Sequence, residues 1–222
     1  MAVSGEDADD TRDPWHTLGA LTPARIALGR MGAGLPTARH LDLQLAHALA
    51  RDAVHRPFDA DALVAALLAN GYEVLRVHSQ AHDRREYLER PDLGRRIGGE
   101  AETMLAAHAG DWDLAFVIGD GLAPLAAERH GPALLDAIVA RLDSSWRVAP
   151  IVVAQQARVA LGDPVGAALG AQFVAMLLGE RPGMSAHDSL GVYLTRAPRP
   201  GRTDAERNCV SNVRPEGLGY DA

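Results

Sequence analysis

Several groupings in this chain carry side chains that could do chemistry. The stretch 185-SAHDS-189 holds Ser185, His187, Asp188 and Ser189, the residue types of a nucleophilic triad. Triad members meet through a fold rather than by adjacency, and no nucleophile-elbow motif frames these serines. A loop that caps a turn is the better reading. His78 and His82 stand four apart, a spacing that zinc sites use on helices. His78 closes a predicted strand, however, and no third ligand follows in pattern, so both are read as surface or capping histidines and no metal is expected. Gly119-Asp120-Gly121 stands between a predicted strand and a predicted helix, where glycines can admit a pyrophosphate against helix amides. Pro124 occupies the third glycine position of that fingerprint, and no acidic ribose ligand stands at the expected distance. A tight strand-to-helix turn is favoured over a nicotinamide site, although the glycines could admit another bulky ligand to the backbone.

Cys209 is the single cysteine, and it lies among charged and turn-forming residues in 201-GRTDAERNCVSNVRPEGLGYDA-222. A reactive thiol needs a neighbouring base or positive site. Arg207 is near in sequence, but no histidine follows, so a packing or ligand-contact role for the sulfur is favoured. The stretch 82-HDRREYLERPDLGRR-96 mixes arginines and acids with Tyr87, Leu88, Pro91 and Leu93. It reads equally as a solvated connection and as a docking surface, since Arg and Tyr are enriched at interfaces.

The elements that must position these residues follow from the whole chain. Its 222 residues suffice for one large domain or a domain with a smaller companion, with a core built from Ala, Leu and Val because aromatics are only 5%. A net charge of −7 argues against nucleic acid or an anionic membrane as partner. No apolar run approaches a membrane span. The acidic start, 1-MAVSGEDADDTRDPW-15, lacks the basic-then-apolar order of a secretory signal. One cysteine makes no internal disulfide, which fits a reducing cytoplasmic setting. All basic residues are arginine; the absence of lysine excludes a Schiff-base lysine and a phosphate-loop lysine.

Residues 1–20 read as an acidic tail and 21–70 as a helical N-terminal domain. Thr22-Pro23 is a good helix start, with Gly32 and Gly34 as its stop. Residues 38–55 step at helical spacing through Leu41, Leu45 and Leu49, and Asp59 opens a helix that Asn70-Gly71 ends. From 71 to 222 the pattern becomes α/β. Strands are predicted at 73–78, 114–119, 148–154, 173–179 and 191–195, with helices at 98–109, 122–142 and 157–170. Alternation of this kind predicts a Rossmann-like, mostly parallel sheet flanked by helices, with ligands held by the loops beyond the strand ends.

The residues also carry a resemblance. The stretches 13-DPWHTLGALTPARIALGRMGAGLPT-37, 46-AHALARDAVH-55, 83-DRREYLERPDLGR-95, 114-LAFVIGDGL-122, 155-QQARVALGD-163, 178-LGERPG-183 and 188-DSLGVYLTRAPRPGRTDAERNCVSNVRPEGL-218 occur in that order. Over nearly its full length the chain resembles the small (light) subunit of ethanolamine ammonia-lyase. The resemblance implies an enzyme that converts ethanolamine to acetaldehyde and ammonia with adenosylcobalamin. It also implies a TIM-barrel large subunit that carries the substrate site, and a hexamer of large–small pairs. On this chain the cofactor contacts implied by motif are Val159, Glu180 and Cys209, with no catalytic residue of its own. All three fall after predicted strands, so the sheet rule expects their loops at one edge. Cytoplasmic placement is expected, with residence in a bacterial microcompartment left open. Members of the family are expected to continue past 213-VRPEGL-218 with a further helical tail, whereas this chain ends at Ala222. A stand-alone Rossmann-type nucleotide-binding enzyme and a purely structural interaction module are the rival readings.

Overall fold

The computed structural model describes residues 15–221, so most of the expected acidic tail lies outside the described residues. A one-turn helix α1 (His16–Gly19) and an irregular run lead to the long helix α2 (Thr37–His55). The helix expected from Thr22 does not form. Thr22 Oγ1 accepts the Ala24 N–H at 3.1 Å, as a cap would. Ala27, Gly29 and Gly32 then take left-handed backbone angles (φ 53°, 73° and 63°), which a right-handed helix cannot contain. Residues 22–36 are mostly exposed, and a helix of this length gains most of its stability from packing.

The next helix follows its sequence signals. In α3 (Ala60–Ala69) the Asp59 carboxylate accepts the Ala62 N–H at 2.9 Å, capping the first turn. Leu63 and Leu67 turn inward, and Gly71 leaves the helix at φ 86°.

Six strands make one sheet: β1 (Val74–His78), β2 (Leu114–Gly119), β3 (Ile151–Gln155), β4 (Phe173–Gly179), β5 (Leu190–Arg196) and β6 (Arg207–Val213), in the order β1-β3-β2-β4-β5-β6. The first four are parallel. Helices α4 (Arg84–Glu89) and α5 (Gly99–Ala107) join β1 to β2, α6 (Pro124–Val139) joins β2 to β3, and α7 (Gly162–Leu169) joins β3 to β4. The chain steps one way across the sheet from β1 to β2, back to β3, then forward again to β4. Each reversal changes the face its helix covers, as a constant crossover hand demands. One apolar layer gathers α3 and α6 against Phe116, Ile118, Val153 and Leu177. The other gathers α5 and α7 against Val117, Val152, Val174 and Met176.

The sheet is mostly parallel, as expected, with β5 returning antiparallel to β4. No helix lies between β4 and β5, and a short connection can only turn back. One expectation about the last strands needs correction: Cys209 lies within β6, the antiparallel edge strand, rather than in a loop. The strand 207-RNCVSNV-213 shows no alternation of apolar and polar residues, because from Asn208 to Asn212 its side chains stay exposed.

The β2–α6 turn meets the end of β4 backbone to backbone. Gly121 stands at φ 55°, and a Cβ there would lie 2.1 Å from Gly179 O. A Cβ on Gly179 would lie 2.1 Å from Ala123 O. The glycines therefore serve chain-to-chain approach. Gly179→Ala is expected to cost about 3 kcal/mol of stability through this overlap, measurable as a lowered urea midpoint; an unchanged midpoint would mean that the turn gives way freely.

Candidate functional site

In a doubly wound sheet the obvious ligand crevice opens where neighbouring strands send their helices to opposite faces. Here that place lies between the carboxyl ends of β2 and β3, and the chain fills it with its own side chains. The buried Asp120 carboxylate accepts the Ala157 N–H at 2.8 Å and the Gln156 N–H at 3.1 Å. Arg84 Nη1 reaches Asp120 at 3.3 Å and donates to Gly121 O at 2.7 Å. Tyr87 is wholly buried, with the guanidinium carbons of Arg84 and Arg158 4.8 and 4.2 Å from its ring centroid, and its hydroxyl donates to Ala157 O at 3.0 Å. The apolar residues of 82–96 are thus partly interior: α4 is short, and its tyrosine anchors the turn.

A larger opening of ≈ 1050 Å³ lies on the face that carries α5 and α7. The segment after β3 contributes Arg158, Val159 and Ala160; β5 and β6 contribute Tyr193 and Cys209. The stretch 95–97 and the turn 200–204 complete its rim. One ion pair fixes the far wall. Arg207 on β6 holds Asp163, in the first turn of α7, through two bonds of 2.5 and 2.7 Å, and both side chains are almost fully withdrawn from solvent. Arg207 also donates to Thr195 Oγ1 at 2.9 Å and to Arg202 O at 3.0 Å.

Val159 and Cys209 open on this same cavity although they stand on β3's exit and on β6. Glu180 does not line it. It follows β4, and its Oε2 accepts the Asn212 N–H at 3.0 Å. Asn212 sits in a bulge of β6 with φ 59°, so Glu180 satisfies a donor that the ladder leaves free. Tyr193 connects the set. It pairs in register with Cys209, and both its ring and the Glu180 carboxylate come within 3.0 Å of where a Cβ on Gly191 would stand. Burial, then the neighbouring Cys209 and Glu180, push its phenol up to about 12, so it stays a neutral donor. Sequence reading missed Tyr193; the only available signal was its place in a predicted strand, and its partner strand was not foreseen.

The other groupings resolve into structure. Asp188 accepts Arg129 at 2.6 Å and lies 3.7 Å from Arg214. Beside it, the buried ring of His130 meets the Tyr220 hydroxyl at 2.6 Å, tying the last described residues to α6. No hydrogen bond joins Ser185, His187 and Asp188 among the described residues, so no triad forms. His78 bonds the Ser79 carbonyl at 2.9 Å. Among the described residues no three His, Cys, Asp or Glu side chains converge on a metal position, and no described helix is long and apolar enough to cross a membrane.

The described residues form a doubly wound α/β domain with a wide, one-sided cavity. The family model described as ethanolamine ammonia-lyase light chain (EutC) matches residues 12–222. Similar proteins include the ethanolamine ammonia-lyase small subunit of Azotobacter vinelandii, 55% identical over 95% of this chain and 80% of that protein. The small subunits of Ralstonia nicotianae (54% over 96% of this chain and 80% of that protein) and Xanthomonas campestris pv. campestris strain B100 (56% over 94% and 79%) are comparably close. The chain belongs to the ethanolamine ammonia-lyase light chain family.

Asp120 generates a pH prediction. Burial raises its carboxyl to about 6 against the lowering pull of the Ala157 N–H and Arg84. The folded chain then binds this proton more tightly than the unfolded chain. Its contribution to stability is full below the ordinary value of 3.8 and is lost as pH rises through about 6. Asp120→Asn should flatten that limb of a urea stability–pH curve; an unaltered limb would show the carboxylate ionised throughout.

Proposed function

We propose that this chain encloses adenosylcobalamin against the large subunit of an ethanolamine ammonia-lyase, with Val159, Glu180 and Cys209 among its contacts and no catalytic residue of its own. The observation that carries this reading is that Val159 and Cys209, fifty positions apart, line one cavity of ≈ 1050 Å³. Ordinary small-molecule pockets span roughly 300–1,000 Å³, so this one suits a large ligand. It is open rather than closed over, which suits a ligand covered from its other side by a second polypeptide. Residues 71–222 supply this unit, and a hexamer of large–small pairs is the assembly it would enter.

The side chains present fit a corrinoid. Val159, Ala160 and Ile97 offer apolar surface, and the arginines and the Tyr193 phenol offer donors to amide and phosphate oxygens. Glu180 Oε2 is occupied by Asn212, which leaves Oε1 as the acceptor for a cofactor amide. Cys209 is exposed and presents a small, polarizable thiol. When bound, the cofactor supplies homolysis of its cobalt–carbon bond; this chain binds, orients and shields. The filled crevice at β2 and β3 weighs against the rival stand-alone nucleotide enzyme, because the place for a pyrophosphate is taken by Asp120 and its partners.

Reconstitution tests the reading. The chain alone should not turn over ethanolamine, and activity should require the large subunit together with adenosylcobalamin. In that complex, bound cobalamin should protect Cys209 from a thiol reagent. Glu180→Ala should weaken cobalamin retention by about 1–3 kcal/mol in equilibrium dialysis. Full reactivity of Cys209 in the cobalamin-loaded complex would remove it from the site, and unchanged retention would remove Glu180.

A further inference from the structure

The arginines around the cavity fall into two groups. Arg207 is paired with Asp163 and Asp204, and Arg202 with Glu206. Arg95, Arg96 and Arg158 also line the cavity, and no carboxylate lies within ion-pair distance of them among the described residues. Arg158 donates from Nη2 to Tyr87 O at 3.1 Å, but its Nε is buried without a partner. A buried donor left unpaired is uncommon in a finished fold and calls for a partner or another physical reason.

Arg158 is placed by rigid neighbours, and Arg95 and Arg96 stand exposed beside it. The Arg158 N–H donates to Gly94 O at 2.8 Å, which joins the segment after β3 to the single turn Leu93–Arg95. Gly94 is packed so closely that a Cβ there would lie 2.8 Å from Arg158 Cγ and 3.1 Å from Tyr87. The guanidinium of Arg158 is held over the Tyr87 ring, so its orientation is set before any ligand arrives. In a chain with net charge −7, three arginines without an ion-pair partner gather at one cavity wall, where Glu102 is the one lining carboxylate not engaged by Arg207, and Asp92 acts on Arg96 only through space. Guanidinium groups match phosphate geometry with paired N–H donors.

We infer that Arg95, Arg96 and Arg158 form an anion subsite that takes a phosphodiester. The inference rests on the cofactor reading above, because the nucleotide loop of adenosylcobalamin brings one phosphodiester and no other anion. The rival occupant is an acidic side chain of the large subunit.

Adenosylcobinamide separates the possibilities, since it keeps the corrin and the adenosyl group but lacks the phosphodiester. Binding of both corrinoids to the reconstituted large–small complex would be followed by equilibrium dialysis with visible absorbance. The variants are the exposed pair Arg95→Gln with Arg96→Gln, and Arg158→Gln separately. Each is expected to bind adenosylcobalamin about ten- to a hundredfold more weakly while its affinity for adenosylcobinamide stays unchanged. Equal weakening of both corrinoids, no weakening of either, or weakened association of corrinoid-free subunits would each overturn the subsite. If Arg158→Gln disturbs the packing on Tyr87, the exposed pair decides alone. A wild-type complex that binds neither corrinoid would sink the cofactor reading and the subsite with it. A wild-type complex that binds both equally well would sink the subsite alone.

Discussion

An ion pair taken out of water holds the cavity in shape. Asp163 and Arg207 lie 44 residues apart, and each is almost fully buried. Removing two charges from solvent is costly, and attraction repays that cost only when geometry is good and the remaining donors are satisfied. Both conditions are met. The contact is bidentate, Thr195 Oγ1 and the Arg202 carbonyl take further donors of the guanidinium, and Asp163 stands in the first turn of α7, where a negative charge is favoured. The bond therefore fastens three pieces at once: the edge strand β6, the helix α7 and the turn that precedes β6. Cys209 lies two residues beyond Arg207 on the same strand, so its height above the sheet is set by this pair.

The second constraint is the plug at the carboxyl ends of β2 and β3. A doubly wound sheet normally leaves a crevice there. Asp120, Arg84 and Tyr87 close it, and Gly121 and Gly179 bring the adjoining backbones into contact. With that crevice closed, the usable space moves sideways, along the face of the sheet and toward the antiparallel strands. The fold keeps the frame of a nucleotide-binding domain while its opening is relocated to strands such a domain need not have.

Much of the frame was legible in the sequence. The apolar runs of β2 and β4 are buried along nearly their whole length, as central parallel strands require. Asp59 and Gly71 bracket α3 by ordinary capping chemistry. The failures have local causes. Thr22-Pro23 has the look of a helix start, but the decisive residue is Ala27, whose left-handed angle nothing in its type announces. β6 was invisible because an edge strand with exposed faces carries no alternation. The site was less legible than the frame. Motif resemblance points to Val159, Glu180 and Cys209, and the loop positions suggest that they converge. The Asp163–Arg207 pair, the bulge that engages Glu180, and Tyr193 beside Cys209 all depend on which strands neighbour one another, and that is a property of the assembled sheet.

Helix α2 differs from every other long element in how little it packs. Leu41, Leu45 and Leu49 are 57%, 60% and 41% exposed, and only Ala50 and Ala53 are buried. Its fastenings to the body gather at one end, where Arg84 Nε donates to Val54 O at 2.7 Å and Arg56 pairs with Glu128 at 3.1 Å. The opposite end, 37-TARHLDLQL-45, relies on the helix propensity of its leucines, Arg39 and Gln44 and on side-chain bonds such as that between His40 and Gln44. Local opening of the free chain consequently begins at Thr37 and runs toward His55. Amide protons near the start of the helix exchange with solvent long before those near its finish.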